Sequence, residues 1–242
     1  MKQGFFIIAV MVIALIIGIA IYTQLPKFIR DGGPIVSVLI ALTIMVITFI
    51  FERMFSLKRA EGRGSMTLFL KKVQQEIHAG NIDGAIEACD RQRGSCANVI
   101  RNGLARYKEL QSEGKVREQK EIMADVQHAI EEAMLLEVPL LEKNLVILST
   151  IASIATMVGL FGTVIGMIRA FKAMAQAGVP DAVQLSLGIS EALINTAGGI
   201  FAAILGIVFY NIFTTRVDNF TYMIDEASYN IVQTLALRSG NK

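Results

Sequence analysis

The stretch LSLGISEALINTAGGIFAAILGIVFYNIF, Leu185 to Phe213, decides the fold. It is predominantly apolar, and its only charged residue is Glu191. At a rise of about 1.5 Å per residue it is long enough, as a helix, to cross a hydrocarbon core of about 30 Å. Inside a bilayer the backbone must satisfy its own hydrogen bonds, so the segment is expected to be α-helical. Period-2 alternation is absent, which argues against a β-barrel. At helical spacing Gly188, Glu191, Asn195, Gly198 and Ala202 share a face, and Ala192, Thr196, Gly199, Ala203 and Gly206 form the stripe beside it. A charge at the centre of a bilayer costs at least about 2.5–3.5 kcal/mol on insertion scales, so Glu191 is expected to face protein or water and to mark an ion path. The competing reading places Glu191 near the outer boundary, paired with a base such as Arg169 or Lys172. Asn195, one turn further along, is either a polar step beside Thr196 or an interhelical hydrogen-bonding group.

Three more apolar blocks lie outward from this one. They are FFIIAVMVIALIIGIAIY (Phe5 to Tyr22), PIVSVLIALTIMVITFIF (Pro34 to Phe51), and a run from about Leu145 to Ile168. The chain has 242 residues, 53% hydrophobic and only 18% charged, where a soluble domain carries about 25% charged residues. The class is therefore an all-α integral membrane protein with about four transmembrane helices and a helical polar region, some helices continuing from membrane into cytosol. A net charge of +2 gives no reason to expect nucleic-acid binding. Lys2 and the small-x-small run Gly18-Ile19-Ala20 resemble a cleavable signal, but the apolar run exceeds a signal core, so a retained anchor is expected. Arg53, Lys58, Arg59, Arg63, Lys71 and Lys72 crowd the exit of the second block and place that side, with both termini, in the cytoplasm. Short outer loops then fall near Thr23 to Gly33 and Phe171 to Gln184. The division expected is 1–51 for the anchor and second spanning helix, 52–144 for a cytoplasmic helical region, 145–215 for the channel-core pair and 216–242 for a cytoplasmic C-terminal helix.

Within the polar region Leu70, Val73 and Ile77 mark a helix over Met66 to Ala79, ended by Gly80-Asn81. Asp83 to Asp90 and Ala97 to Leu110 follow, and Gly114 is a punctuation point. Val116, Met123, Ile130, Met134, Leu141 and Leu148 then keep one face into the third block, which predicts one long helix with a kink at Pro139. Cys89 and Cys96 are expected to be reduced, buried and apolar in character. His78 and His128 lack metal-ligand spacing. The phosphate-binding loop, HExxH and GxSxG patterns are missing, so neither an enzyme nor a bound cofactor or metal is expected.

The third block carries Ser149, Ala152, Thr156, Gly159, Thr163, Gly166 and Ala170 at alternating spacings of three and four. Small residues let membrane helices approach closely, so Gly159, Gly162, Gly166, Gly198 and Gly199 are expected at helix contacts. Thr156 and Thr163 can equally bond their own helix carbonyls.

GLFGTVIGMIRAF (Gly159 to Phe171), followed by GISEALINTAGGIFAAILGIVFYN (Gly188 to Asn211), resembles the MotA/TolQ/ExbB proton-channel family, closest to its ExbB and TolQ branch. The likeness is strong over about Leu145 to Asp218 and weaker at Gly32-Gly33-Pro34 and Glu52-Arg53. The first block is not part of the usual three-helix plan of that branch. The MotA pattern lacks an acid at the position of Glu191. Many members carry proline where this chain has Thr156 and Leu205, and a small apolar residue where it has Asn195.

The resemblance implies an inner-membrane homo-pentamer surrounding two copies of a single-span partner of the ExbD or TolR type, embedded in membrane lipid. It implies that the proton-motive force is passed on to a TonB- or Tol-type protein and thence to outer-membrane transport. It also implies that Thr163 and Thr196 line the lumen, that Glu191 lies on the proton route, and that the partner supplies the titrating aspartate. Asn195 would add a polar step there. Two other readings stand beside it: a structural oligomeric scaffold, and a MotA-like stator of another motor.

Overall fold

The computed structural model describes residues 2–112, 118–176 and 182–240. Among them the chain is all-α, with no strand. The helices are α1 (Lys2–Gln24), α2 (Lys27–Arg30), α3 (Ile35–Ala60), α4 (Met66–Ala79), α5 (Ile82–Gln92), α6 (Ser95–Ser112), α7 (Gln119–Glu142), α8 (Leu145–Gln176) and α9 (Ala182–Gly240). Four helical stretches are long and apolar enough to cross a membrane: Gly4–Gln24, Ile35–Ala60, Gln119–Ala175 and Ala182–Arg238. The chain forms two compact units, one of Met1–Arg53 with Asn144–Phe213, the other of Met54–Lys143 with Thr214–Lys242.

The first unit holds α1, α2, most of α3, α8 and the first half of α9. Its helices are joined through small residues, because lipid tails are as apolar as leucine and give little reason for leucine-rich faces to leave them. On α1 the buried pair Ala14 and Gly18, one turn apart, seats the helix on α3. A side chain at Gly18 would lie 2.7 Å from the Ser37 carbonyl oxygen and 3.2 Å from the Ala41 methyl. Phe6 and Phe49 add an edge-to-face contact, with ring centroids 6.5 Å apart. Much of the rest of α1 is exposed, Phe5, Ile8 and Ile16 included, and is apolar enough to meet lipid. Hydroxyls in the spans donate to their own helix: Thr43 to the Leu39 carbonyl (2.9 Å) and Thr48 to that of Ile44 (2.8 Å). At the end of this unit Arg53 is only 1% exposed, and its guanidinium donates twice to Glu52, at 2.7 Å each.

The second unit packs α4 on α5, α5 on α6 and α6 on α7, with the end of α3 and the second half of α9. Gly80 ends α4 in the left-handed region (φ +87), and the Asn81 side chain caps α5 by accepting from the Gly84 N–H at 3.0 Å. The buried face of α4 is Phe69, Val73 and Ile77, with Leu70 only half-buried. The expected frame was thus right at two positions and displaced by one residue at the first. Ile100, Leu104, Val126, Ile130, Ile224 and Ile231 fill the interior. Arg216 of α9 donates to Glu61 at 2.6 Å. Cys89 and Cys96 are free, buried thiols. Burial pushes both up to about 12, and for Cys89 the neighbouring Cys96 and Asp90 add to the shift. His78 and His128 are exposed, and no group of metal-ligating side chains is found among the described residues.

Three expectations change. The single helix running into the third block is two helices: α7 ends at Glu142, and Asn144 turns the chain with φ +64 before α8 begins. Pro139 lies inside α7 and ends nothing. Asparagine tolerates the left-handed region better than most residues, whereas proline only removes one helical donor. The second concerns the C-terminal helix expected over 216–242, which is the continuation of α9, while the expected boundary itself falls two residues after the division between the compact units at Phe213 and Thr214. Third, the outer loops are shorter than expected, because α2 occupies part of one and α8 and α9 enter the other. Gly114, Val116 and the middle of that second loop, 177–181, lie outside the described residues.

Candidate functional site

The site is built where α8, α9 and the turn before α3 meet inside the first unit. Glu191 lies in the first third of α9 and is 7% exposed. Arg169, near the end of α8, brings Nη1 to 2.5 Å from Glu191 Oε1. The Arg169 side chain is 53% exposed. A carboxylate this buried requires a compensating charge, and this ion pair supplies it. Of the two readings of Glu191, the pairing with Arg169 is therefore present.

The third wall is Gly33, in the left-handed region with φ +75. A side chain there would lie 2.6 Å from Glu191 Oε1. Glycine is required twice over, for its backbone conformation and for its closeness to the carboxylate. Gly32 presses on α9 in the same way, with its missing Cβ 2.7 Å from Ile194 Cγ2. The Gly32 carbonyl accepts from Asn195 Nδ2 at 2.9 Å. Asn195 is fully buried, and its Oδ1 has no hydrogen-bond partner among the described residues. Glu191 and Asn195, four residues apart on α9, thus hold the same glycine turn, one by contact and one by a hydrogen bond.

The expected glycines divide between two contacts. Gly159, Gly162, Gly166 and Gly199 lie in the α8–α9 seam. A side chain on Gly159 would sit 3.0 Å from Gly199 Cα, and one on Gly166 2.8 Å from the Ala192 nitrogen and the Gly188 oxygen. Gly162 backs onto the Asn195 side chain. Gly198 instead faces Leu39 of α3, with 3.3 Å available to Leu39 Cδ1.

The stripe on α8 divides as well. Ala152, Gly159, Gly166 and Ala170 are buried, whereas Ser149 and Thr163 are half-buried and Thr156 is exposed. A run spaced alternately three and four residues covers two flanks of a helix, and α9 covers only one of them. The threonine hydroxyls donate within their helices: Thr163 to the Leu160 carbonyl (2.5 Å), Thr196 to Ala192 (3.2 Å) and Thr156 to Ala152 (3.2 Å). Thr163 and Thr196 are half-buried, and neither touches Glu191 through a hydrogen bond among the described residues.

Sequence reasoning weighed Arg169 but did not single out Gly33. Its signal was the Gly32-Gly33-Pro34 run, in which two glycines before a proline mark a turn with positive φ.

Residues 92–226 match the MotA/TolQ/ExbB proton channel family. The chain is 36% identical to the Tol-Pal system protein TolQ of Pseudomonas aeruginosa over 49% of this chain and 51% of the relative. It is 40% identical to TolQ of Haemophilus influenzae over 40% and 42% of the two chains. It is 24% identical to the biopolymer transport protein ExbB of Pseudomonas putida over 83% and 60%. The chain thus spans about half the length of the curated relatives it matches. The match covers more than half of the chain, all of α8 and the Glu191 half of α9, and the protein belongs to the MotA/TolQ/ExbB proton channel family.

Proposed function

We propose that this chain is the ring-forming subunit of a proton-driven motor in the bacterial inner membrane, with both termini in the cytoplasm. It works with a single-span partner of the ExbD or TolR type that carries the titrating aspartate. The pair passes proton-motive energy to a TonB- or Tol-type protein and so to the outer membrane. The observation that carries this reading is Glu191, the acid of a long apolar helix, held buried and charge-compensated by Arg169. An ionisable group kept inside a spanning helix is costly and marks a path for ions by default.

On this reading this chain provides the fixed half of the channel. The close α8–α9 seam makes the pair a stiff wall. Thr163 and Thr196, on the half-buried flanks, hydrogen-bond water or the partner's carboxyl once neighbouring copies enclose them. Arg169 pairs with Glu191 at the outer mouth, on the route of an arriving proton. One charge crossing about 100 mV releases ~2.3 kcal/mol, so work on an outer-membrane receptor requires several protons or a stepping cycle. A ring of five around a pair of partner helices suits stepping, because the two symmetries are never satisfied together.

A second reading, the oligomeric scaffold, is favoured by the same ion pair and by the Asn195 bond to Gly32. Both are what a purely structural joint would contain. The test is co-purification with the single-span, aspartate-bearing protein expressed alongside, then proton flux into proteoliposomes. The motor reading expects five copies with two partner copies in the native mass, an unchanged oligomer in Glu191→Gln and Thr163→Val, and loss of flux in both. Loss of the oligomer in Glu191→Gln, or wild-type flux in both variants, would sink it in favour of the scaffold.

A further inference from the structure

We infer that the second unit contains a phosphate-binding cavity, lined by Arg63, Lys72 and Arg91, for the headgroup of an anionic phospholipid. The cavity is about 310 Å³ and is lined by these three cations, Ser65 and Leu68, with no acid in its lining. Its construction follows from two turns docked on each other. Gly62 (φ +78) and Gly94 bring the α3–α4 turn onto the α5–α6 turn so closely that a side chain on Gly62 would meet the Gln92 oxygen at 2.6 Å. The Arg63 N–H then donates to the Gln92 carbonyl at 2.8 Å. That bond places the base of Arg63 beside the end of α5, which carries Arg91, while Lys72 approaches from α4.

Only part of the charge there is met by an acid among the described residues. Among the described residues neither the Arg63 nor the Lys72 side chain has an ion pair. Arg91 meets Glu87 at 2.6 Å, and both side chains are about two-thirds exposed, where such a pair is weak (64% and 65%). The other acids of these segments are engaged elsewhere: Glu61 with Arg216 at 2.6 Å and Asp90 with Arg101 at 2.7 Å. Three cations lining one cavity, only Arg91 having a carboxylate beside it, repel one another and favour a multiply liganded anion, and phosphate accepts several N–H donors at once.

Two observations favour a lipid as the source of the phosphate. Arg63 comes three residues after Ala60, the last residue of the membrane-length helix α3. Leu68 lines the same cavity and is 69% exposed, so apolar surface adjoins the cations. Basic residues beside a spanning helix, next to exposed apolar surface, are the pattern that recognises anionic headgroups. Most of the cavity lies before residue 92, where the family match begins. It holds whether or not the chain conducts protons.

The test uses the full chain, stripped of lipid in detergent and reconstituted in phosphatidylcholine nanodiscs with or without phosphatidylglycerol. Native mass spectrometry reads retained phosphatidylglycerol, and phosphorus NMR reads binding of inorganic phosphate. The wild type is expected to retain phosphatidylglycerol, with occupancy weakened roughly fivefold for each cation removed in R63Q/K72Q/R91Q. The pair K58Q/R59Q, outside the cavity, is expected to leave retention near wild type. Binding of inorganic phosphate that depends on the same three cations, with indifference to phosphatidylglycerol, would keep the phosphate site and change its source. Equal behaviour of wild type and triple variant toward both probes overturns the proposal. So does an equal loss in K58Q/R59Q, which would mean bulk charge rather than a cavity. Should the triple variant misfold, Lys72→Gln alone, at an exposed position, decides by the same readouts.

Discussion

Arg169 Nη1 lies 2.5 Å from Glu191 Oε1, yet the two side chains have different surroundings, 53% exposed for the arginine and 9% for the glutamate. The asymmetry decides what each deletion costs. Arg169→Gln strands a buried carboxylate and is expected to destabilise by about 1–3 kcal/mol, below the ~3–5 kcal/mol of a fully buried pair because water reaches the arginine side. Glu191→Gln frees an arginine that can turn to water and costs less. The double variant is expected to resemble Glu191→Gln alone. Thermal denaturation in detergent measures all three, and an Arg169→Gln protein as stable as wild type would contradict the account.

Gly33 closes the same site from the turn before α3. Gly33→Ala places a side chain 2.6 Å from Glu191 Oε1 and also forces a non-glycine residue to φ +75. Strain alone costs roughly 1–2 kcal/mol. Gly64 supplies the control, since it has φ +84 with open space where its Cβ would go. Gly33→Ala is expected to exceed Gly64→Ala in cost, and the excess to shrink when Glu191 is replaced by alanine. An excess unchanged on that background would show that the carboxylate is not what Gly33 accommodates.

How far the site was legible follows from these residues. The spans were plain because uninterrupted apolar blocks have no competing interpretation at that length. Glu191 was conspicuous for the same reason, as an acid where none is tolerated without a partner. Its partner was harder, because Arg169 and Lys172 both lie within reach on a helical wheel and only the packing of α8 on α9 selects between them. The division of the α8 stripe was hidden, since spacings of three and four are shared by both flanks. The break at Asn144 was masked by Pro139, the stronger local signal but the weaker determinant. The bond from Asn195 to Gly32 joins residues 163 positions apart and has no local trace.

Cys89 and Cys96 predict a pH dependence of stability. Both thiols are pushed up to about 12 in the folded chain from an ordinary value of 9.0. Above pH 9 the unfolded chain therefore releases protons that the folded chain retains. The stabilisation from the protonated thiols is complete below about pH 9 and is lost as pH rises toward about 12, with a slope of up to ~1.4 kcal/mol per pH unit for each cysteine. Denaturation midpoints from pH 7.5 upward, compared with a Cys89→Ala/Cys96→Ala variant, measure this, and the variant is expected to show the shallower decline. The same shifts predict that neither thiol is alkylated in the folded protein at neutral pH, because the thiolate is the reactive form. Modification by iodoacetamide at the rate of the unfolded chain would refute that.

Gly198 and Gly199 are neighbours on α9 with opposite expectations. A side chain at Gly199 would meet the Ala155 carbonyl oxygen at 2.7 Å and Gly159 Cα at 2.8 Å, both backbone atoms that cannot move without separating α8 from α9. A side chain at Gly198 would first meet Leu39 Cδ1 at 3.3 Å, the end of a side chain that can rotate. Gly199→Ala is therefore expected to cost about 1–3 kcal/mol through overpacking. Gly198→Ala is expected to be near neutral or slightly stabilising, since alanine gains up to ~1 kcal/mol over glycine within a helix. Gly4→Ala, with nothing within 4 Å, measures the helix-propensity term alone. Equal midpoints for the Gly198 and Gly199 variants would mean that α8 and α9 do not approach backbone to backbone, and the stiff wall assigned to this pair would lose its basis.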